Sequence, residues 1–314
     1  MTLHDKRLEF EKNKKIYESK KVTFIGVDGF DVYNCSIPFS WKGENYIYGR
    51  VEKHDEWARS WVKLFKKTGE DEYTLVPGSM VYQLEDPYIA KINNILVMGG
   101  THVEKVNGQI STYRGYFYKG DDLEDLYYFT TGPDYMKDIR LVQFPSGKIG
   151  VFSRPRSEEI LKQYGCESMI GYTEINDLSE LTPDLVQNAR IIPNIFSEGE
   201  WGGCNQAYIL DSGKIGIIGH HCYHGENDTQ VYMNVAFIFD PAEHKIIENR
   251  ILATRPCYPE GIAKRPNLVD CAFPAGIVMR EDGKADLYSG IGDSEVGRVT
   301  IDYPFEGYGK IISK

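Results

Sequence analysis

With 314 residues, 41% of them hydrophobic and 26% charged, the chain can bury the core of one large domain or two ordinary ones and is not a disordered sequence. Its 36 basic against 46 acidic residues leave a formal charge of −10, which counts against nucleic acid or an anionic membrane as partner but leaves room for a small basic pocket. No apolar run approaches the ~18 residues of a membrane span, and the 22 Tyr and 31 Gly suit strands, tight turns and stacking on sugar rings.

The chain opens with MTLHDKRLEFEKNKKIYESKK, which is charged and lacks the apolar centre of a secretory signal. Residues 1–20 are expected to be an N-terminal appendage that can form a helix, on a cytoplasmic protein. No low-complexity linker divides the remainder, so residues 21–314 read as one catalytic domain. Five related stretches follow: WKGENYIYGRV (41–51), KINNILVMGGT (91–101), FPSGKIGVFSRP (144–155), LDSGKIGIIGHH (210–221) and REDGKADLYSGI (280–291). Each is a turn with Gly or Asn, then a short run rich in Ile, Val, Leu or Tyr. Upstream of each run stands an Asn or Asp, in YNCS (33–36), EDPY (85–88), KDIR (137–140), CNQA (204–207) and VDCA (269–272).

Polar residue, strand, tight turn, strand, polar residue is a β-hairpin with adjacent ends, and its recurrence marks a repeated supersecondary unit. Asn34 is expected beside Arg50, Asp86 beside Thr101 and His102, and Asp138 beside Arg154. Asn205 belongs beside His220 and His221, and Asp270 beside Asp293. Five such units of four strands predict an all-β fold, a five-bladed β-propeller whose hairpin ends gather at one mouth of a central channel. Between the third and fourth stretches, SEEILKQYG (157–165) reads as a short helix stopped by Gly165, and INDLSELTPDLVQ (175–187) as a loop with at most a turn of helix. Cysteines 35, 166, 204, 222, 257 and 271 form no CxxC pair and are expected as buried free thiols.

The gathered endings hold carboxylates (Asp86, Asp138, Asp270, Asp293), cations (Arg50, Lys137, Arg140, Arg154) and imidazoles (His220, His221). Arg and Lys around a cavity suit a phosphate or carboxylate, Arg as a planar fork and Lys as a point charge. An Asp shielded from such cations can keep its proton and act as an acid. HHCYH (220–224) alternates His220 and Cys222 on one strand face with His221 on the other; it has no metal-ligand spacing, and no metal is expected. The chain has no GxSxG and no recognisable Cys–His nucleophile pattern. GGTHVEKVNG lacks the GK[ST] of a phosphate loop, and GIGDSEVG (290–297) lacks the helix that should follow a dinucleotide fingerprint.

Together, YGRVE (48–52), LEDPYI (84–89), KDIRLVQFPSGKIGVFSRP (137–155), GHHCY (219–223) and LYSGIGDSEVGRVTI (287–301) resemble the five-bladed β-mannoside phosphorylases of glycoside hydrolase family 130. The chain is more similar still to the former domain-of-unknown-function family 1861, which holds the mannosyltransferase/phosphorylases of glycosyltransferase family 108. The resemblance covers residues 22–305. It implies an inverting phosphorylase of β-mannosides, β-1,2-linked mannose oligomers in particular, that forms mannose 1-phosphate and can carry mannosyltransferase activity. Asp86 would be the general acid, its proton relayed through a mannose hydroxyl. Phosphate would be held by Arg50, Lys137, Arg154 and His220 or His221, with Tyr232 closing over it. Asn34, Asp138 and Asp293 would hold sugar hydroxyls. Inorganic phosphate enters as co-substrate and no other cofactor is implied; the partners are a mannose-containing oligosaccharide and phosphate, with a homo-oligomer left open. The chain departs from the phosphorylase pattern at Tyr88, where that family writes Arg, and at Tyr232-Met233, where it writes Tyr-Arg. Three other readings stand beside this one. They are a glycosidase of the same fold with Glu260 or Asp293 as base, a sugar-nucleotide-dependent mannosyltransferase, and a non-catalytic carbohydrate-binding propeller. The converging cations count against the last.

Overall fold

The turn written SGK at 146–148 and 212–214 and DGK at 282–284 takes one shape in the computed structural model, which describes residues 1–312. Gly147, Gly213 and Gly283 lie at φ 92°, 79° and 81°, a region that glycine enters without a steric cost. The N–H groups of Phe144, Leu210 and Arg280 donate to the carbonyls of Lys148, Lys214 and Lys284. Each turn is a three-residue loop joining the first two strands of a four-stranded antiparallel array.

In chain order, β1 (Glu18–Ile25) precedes a first array of β2 (Asp31–Tyr33) with β3 (Phe39–Trp41), β4 (Glu44–Glu52), β5 (Trp61–Gly69) and β6 (Glu72–Leu75). Next come β7 (Glu85–Ile92), β8 (Ile95–Val106), β9 (Gln109–Gly120) and β10 (Tyr127–Thr131). The third array is β11 (Arg140–Gln143), β12 (Ile149–Ser153), β13 (Gly171–Ile175) and β14 (Arg190–Ile191). The fourth is β15 (Glu200–Ile209), β16 (Ile215–His224), β17 (Gln230–Asp240) and β18 (Lys245–Ala253), and β19 (Ala272–Met279), β20 (Ala285–Ile291) and β21 (Glu295–Ile301) follow it. The second, third and fourth arrays are separate sheets, whereas β19-β20-β21-β1-β6-β5-β4-β2 is continuous. β1 makes that continuity: Glu18–Val22 pair antiparallel with β21, and Thr23–Ile25 pair parallel with β6. The expected boundary at residue 20/21 therefore falls inside a strand.

The core lies between neighbouring arrays. Tyr48 and Leu64 meet Ile89 and Met98; Phe117 and Val97 meet Leu141 and Val151; Phe152 and Tyr172 meet Phe237 and Phe239. Ile218 and Ile238 meet Leu287 and Val299, and Tyr288 and Val296 return to Ile47 and Phe65 of the first array. Each array is thus apolar on both faces, which explains its near-continuous Ile/Val/Tyr runs.

The expected helices form. Thr2 and Asp5 make a capping box for Leu3–Asn13, and Leu3 packs on Val231 and Met233. Ser157 caps Glu158–Tyr164, which Gly165 ends at φ 70°. Residues 175–187 hold a 3₁₀ turn (Leu178–Glu180) and a short α-helix (Pro183–Gln187), slightly more helix than expected, because Asp177 and Thr182 each cap a turn. All six cysteines are buried and unpaired.

Arg298 on β21 is 2% exposed and binds Asp71 between β5 and β6 at 2.5 and 2.7 Å, Asp286 on β20 at 3.1 Å and Glu18 on β1 at 2.9 Å. Removing one partner of a buried ion cluster costs about 3–5 kcal/mol. Arg298→Met is expected to lower the melting temperature by roughly 5–10 °C in calorimetry, against no change for the exposed control Lys162→Met. An unchanged melt would mean that closure does not depend on this cluster.

Candidate active site

Four polar residues adopt left-handed backbone where strands break. Asn34 (φ 43°) separates β2 from β3, Asp86 (48°) interrupts the register of β7, Asp138 (58°) precedes β11, and Asp293 (53°) lies in the turn between β20 and β21. Asn and Asp are the non-glycine residues that best tolerate this region, at some cost. All four line one cleft that, with its mouth, holds about 950 Å³.

At one end of the cleft two carboxyl groups share an amide. Asn34 Nδ2 donates to Asp86 Oδ1 at 3.0 Å and to Asp293 Oδ1 at 3.2 Å. Asp86 also accepts from Arg50 Nη1 at 2.9 Å. Burial, with the charge of Asp86 alongside, pushes the Asp293 carboxyl up to about 6, against the opposing pull of Arg50, Asn34 and Lys137.

The other end is cationic. Arg154 donates from Nη1 to Asp138 (2.6 Å) and from Nε to Ser168 Oγ (3.1 Å) and the Gly202 carbonyl (3.0 Å). Its Nη2 has no partner among the described residues. Burial would lift Asp138, but Arg154, Arg140 and Lys137 hold it below the usual carboxylate range. Burial likewise disfavours the Lys137 ammonium, yet Glu85, Asp86 and Asp138 keep its pKa above the ordinary value. Its closest carboxylate, Glu85, stands 3.7 Å away, a loose pair. Arg156, half exposed, completes the cationic lining, with Ser168, Gln230 and the Tyr232 ring. A protonatable carboxyl facing uncommitted cationic donors can combine acid catalysis with the binding of an anion.

The structure brings together Asn34, Arg50, Asp86, Lys137, Asp138, Arg154, Tyr232 and Asp293. Arg50, expected at an anion, has its donors taken by Ser60, Asp86, Glu85 and Glu52. His220 lies behind the lining: it bonds Asn205 at 2.7 Å, stacks on Tyr232, and is neutral because burial and Arg154 drive its pKa well down. His221 faces the other side of β16, as strand alternation requires, and bonds Glu200 at 2.7 Å between Phe196 and Phe237. It is outside the cleft, so its expected place there is corrected. Asp270 is also outside, paired with Arg7 of the N-terminal helix at 2.6 Å, and His102 is partly buried, bonds the Gln83 carbonyl and does not line the cleft. Glu260 is exposed and does not line the cleft. Of the two departures, Tyr88 is buried with Arg140 stacked on its ring, and Met233 points away from the cleft under Leu3. Sequence reasoning missed Trp57, Glu85, Arg156, Glu167, Trp201 and Gln230. Of these only Glu85 carried a signal, being adjacent to Asp86.

The family described as protein of unknown function (DUF1861) matches residues 8–307. None of the curated proteins compared matches the chain. Among solved structures, MPT-4, a mannose phosphorylase from Leishmania mexicana in complex with a phosphate ion, is 52% identical with a TM-score of 0.93. The match covers 99% of this chain and 96% of that one. MPT-1, a GDP-Man-dependent mannosyltransferase from the same organism, is 46% identical with a TM-score of 0.92 over 100% and 99%. A β-1,2-mannobiose phosphorylase from Listeria innocua shares the fold at 15% identity, TM-score 0.61, over 88% and 91%.

Asp293 is protonated more readily in the folded chain than in the unfolded one, so its contribution to stability is full below about pH 4 and is lost as pH rises through about 6. Asp293→Asn, which keeps an acceptor for Asn34, is expected to raise the melting temperature by roughly 2–4 °C at pH 8. That difference should vanish by pH 4. A gain that is independent of pH would mean that the carboxyl is not ionising in this environment.

Proposed function

The chain belongs to the DUF1861 family, and from that premise we propose that it is a β-mannoside phosphorylase with Asp86 as general acid and a phosphate site on Lys137, Arg154 and Arg156. We read the five four-stranded arrays as the blades of a five-bladed β-propeller, with β1 completing the last. A phosphate oxygen attacks the anomeric carbon of the terminal mannosyl unit from the face opposite the leaving group. The C–O glycosidic bond breaks, the departing oxygen takes the Asp86 proton directly or through a sugar hydroxyl, and mannose 1-phosphate of inverted configuration leaves. Phosphate is already anionic and needs no protein base, so a single acid suffices, unlike the carboxylate pair of an ordinary glycosidase.

One observation carries this reading: the unpartnered Arg154 Nη2 and the loosely paired Lys137 share a cleft with the Asn34-bridged carboxyls. The mannose phosphorylase at 52% identity, solved with phosphate, supports it. Hydrolysis through Glu260 is disfavoured by that residue's place outside the cleft. Asp293 shares an amide with the acid and is badly placed to act as an independent base. A second reading, mannosyl transfer from a sugar nucleotide, is favoured by the GDP-Man-dependent relative at 46% identity. Its diphosphate could engage the same cations.

Incubation with β-1,2-mannobiose should give mannose 1-phosphate only when inorganic phosphate is present. Free mannose without phosphate would overturn phosphorolysis, and mannosyl transfer from GDP-mannose with no phosphate-dependent product would move the assignment to the second reading. Asp86→Asn should cut kcat about 10²–10⁴-fold in a chain that still folds. Lys137→Ala should raise KM for phosphate about tenfold while leaving that for the mannoside near wild type. Lys137 is a cleaner probe than Arg154, which also neutralises Asp138.

A further inference from the structure

Arg50 stands 4% exposed among three carboxylates, Asp86 at 2.9 Å, Glu85 at 3.1 Å and Glu52 at 3.5 Å, with its plane on the Tyr33 ring. Glu52 is fully buried and does not touch the cleft. One of its oxygens accepts from the Arg59 N–H at 2.7 Å; the other takes a very short bond from Tyr33 and an ion pair from Lys264 at 3.1 Å. The Lys264 side chain is 1% exposed and its ammonium also donates to the Lys53 carbonyl at 2.7 Å. Lys264 comes from far along the chain, in the segment joining β18 to β19, and its own N–H is tied to Gly292 next to Asp293. The charges form a continuous series: Lys264, Glu52, Arg50, then Glu85 and Asp86.

We propose that Glu52 and Lys264 are positioning residues for catalysis: through Arg50 they set the geometry and the positive charge that the Asp86 carboxyl experiences. Glu52 draws the guanidinium away from Asp86, and Lys264 offsets that draw by neutralising Glu52. The ammonium also stands 3.5 Å from Asp31 and lies over the Tyr33 ring, but its nearer carboxylate is Glu52, which already has Tyr33, Arg50 and the Arg59 N–H as partners. The charged and titratable groups facing Arg50 and its partners are Tyr33, Glu52, Glu85 and Asp86, with Asp31, Lys137, Lys264 and Asp293 just beyond. Against the upward push of burial, Arg50, Tyr33, Arg59 and Lys264 hold Glu52 below the usual carboxylate range, so it is ionised at neutral pH. The inference rests on Asp86 being the acid.

The test is the pH dependence of kcat for phosphorolysis of β-1,2-mannobiose at saturating phosphate. Glu52→Gln leaves Arg50 to act on Glu85 and Asp86 alone, favours the ionised acid, and should move the alkaline limb down by about 0.5 pH unit or more. Lys264→Met strengthens the draw of Glu52 on Arg50 and should move the limb up by a similar amount. In both, KM for phosphate should stay within about twofold of wild type, because neither residue reaches the cationic end of the cleft. The double variant Glu52→Gln/Lys264→Met restores the charge balance and should return the limb towards wild type. Opposite shifts, cancelled in the double variant, support the relay. A limb that stays in place while activity falls in step with the melting temperature overturns it and leaves both residues purely structural. If Glu52→Gln does not fold, Lys264→Met decides alone: an upward shift supports the proposal and an unmoved limb overturns it. Asp86→Asn, run alongside, separates the two levels. If it retains turnover, the acid assignment falls and this inference falls with it; if it is inactive while the other profiles do not move, only the relay falls.

Discussion

Everything in this molecule depends on β1 pairing twice. Its first half continues the array made by the end of the chain, and its second half joins the array made by the beginning. Without that strand the β21 and β6 edges would be open, and unpaired edges in a sheet of this size invite association with other chains. The clusters between arrays then form a ring in which each array is buried on both faces, so no array can shift alone. Arg298 lies where the two ends meet, and its three carboxylate partners come from β1, β20 and the β5–β6 turn. The ring is what brings residues as far apart in sequence as Asn34, Asp138 and Asp293 to within one cleft.

Once the ring is closed, the strand ends can be used for chemistry. Interior backbone N–H and C=O groups are committed to ladders, so side chains such as Arg50 and Tyr232 enter the cleft only in the direction strand alternation gives them, and a different approach needs a break in the ladder. Asn34, Asp86, Asp138 and Asp293 mark four such breaks, each in left-handed backbone that Asn or Asp enters at the least cost. The rigid ring holds these local conformations in place, which is the situation in which strain persists at a site. Their electrostatic fates then diverge. Asp138 sits between Arg140 and Arg154 and is fully spent as a counter-ion. Asp293 has an amide and, among the described residues, no cation in direct contact, and its carboxyl is pushed up to about 6.

Much of this was legible in the sequence because it is local. Hairpin ends are neighbours by construction, so Asn34 beside Arg50, Asp138 beside Arg154 and Asn205 beside His220 could be read from spacing, as could the capped helix at 158–164. The same alternation that placed His220 and Cys222 on one face put His221 on the other, and the structure followed the alternation. What could not be read is long-range. Asp270 looked like a rim carboxylate until the N-terminal helix supplied Arg7. Arg50 looked free until the ring brought Glu85 and Asp86 to it and the β18–β19 connection brought Lys264 to Glu52. Trp57, Arg156, Trp201 and Gln230 reach the cleft from loops and strand ends whose sequences carry no repeat, so nothing in the spacing singled them out.

The balance of charge in the cleft shows why pairing, not net charge, decides what it can hold. Its lining carries the cations Arg50, Lys137, Arg154 and Arg156 and the carboxylates Glu85, Asp86, Asp138, Glu167 and Asp293, so the sum does not favour an anion. Yet most of the carboxylates are committed: Glu85 and Asp86 to Arg50, Asp138 to Arg154, and Glu167 to His224 and Arg156. The donors left over are on Lys137, Arg154 and the partly exposed Arg156. An anion there meets directed hydrogen-bond donors, and the raised proton affinity of Asp293 lessens the negative charge it must face. A phosphate entering the cationic end would add negative charge near Asp293 and favour the protonated form of that carboxyl further. In the reaction proposed, seating the nucleophile then also lowers the negative charge on the carboxyl that shares the Asn34 amide with the acid.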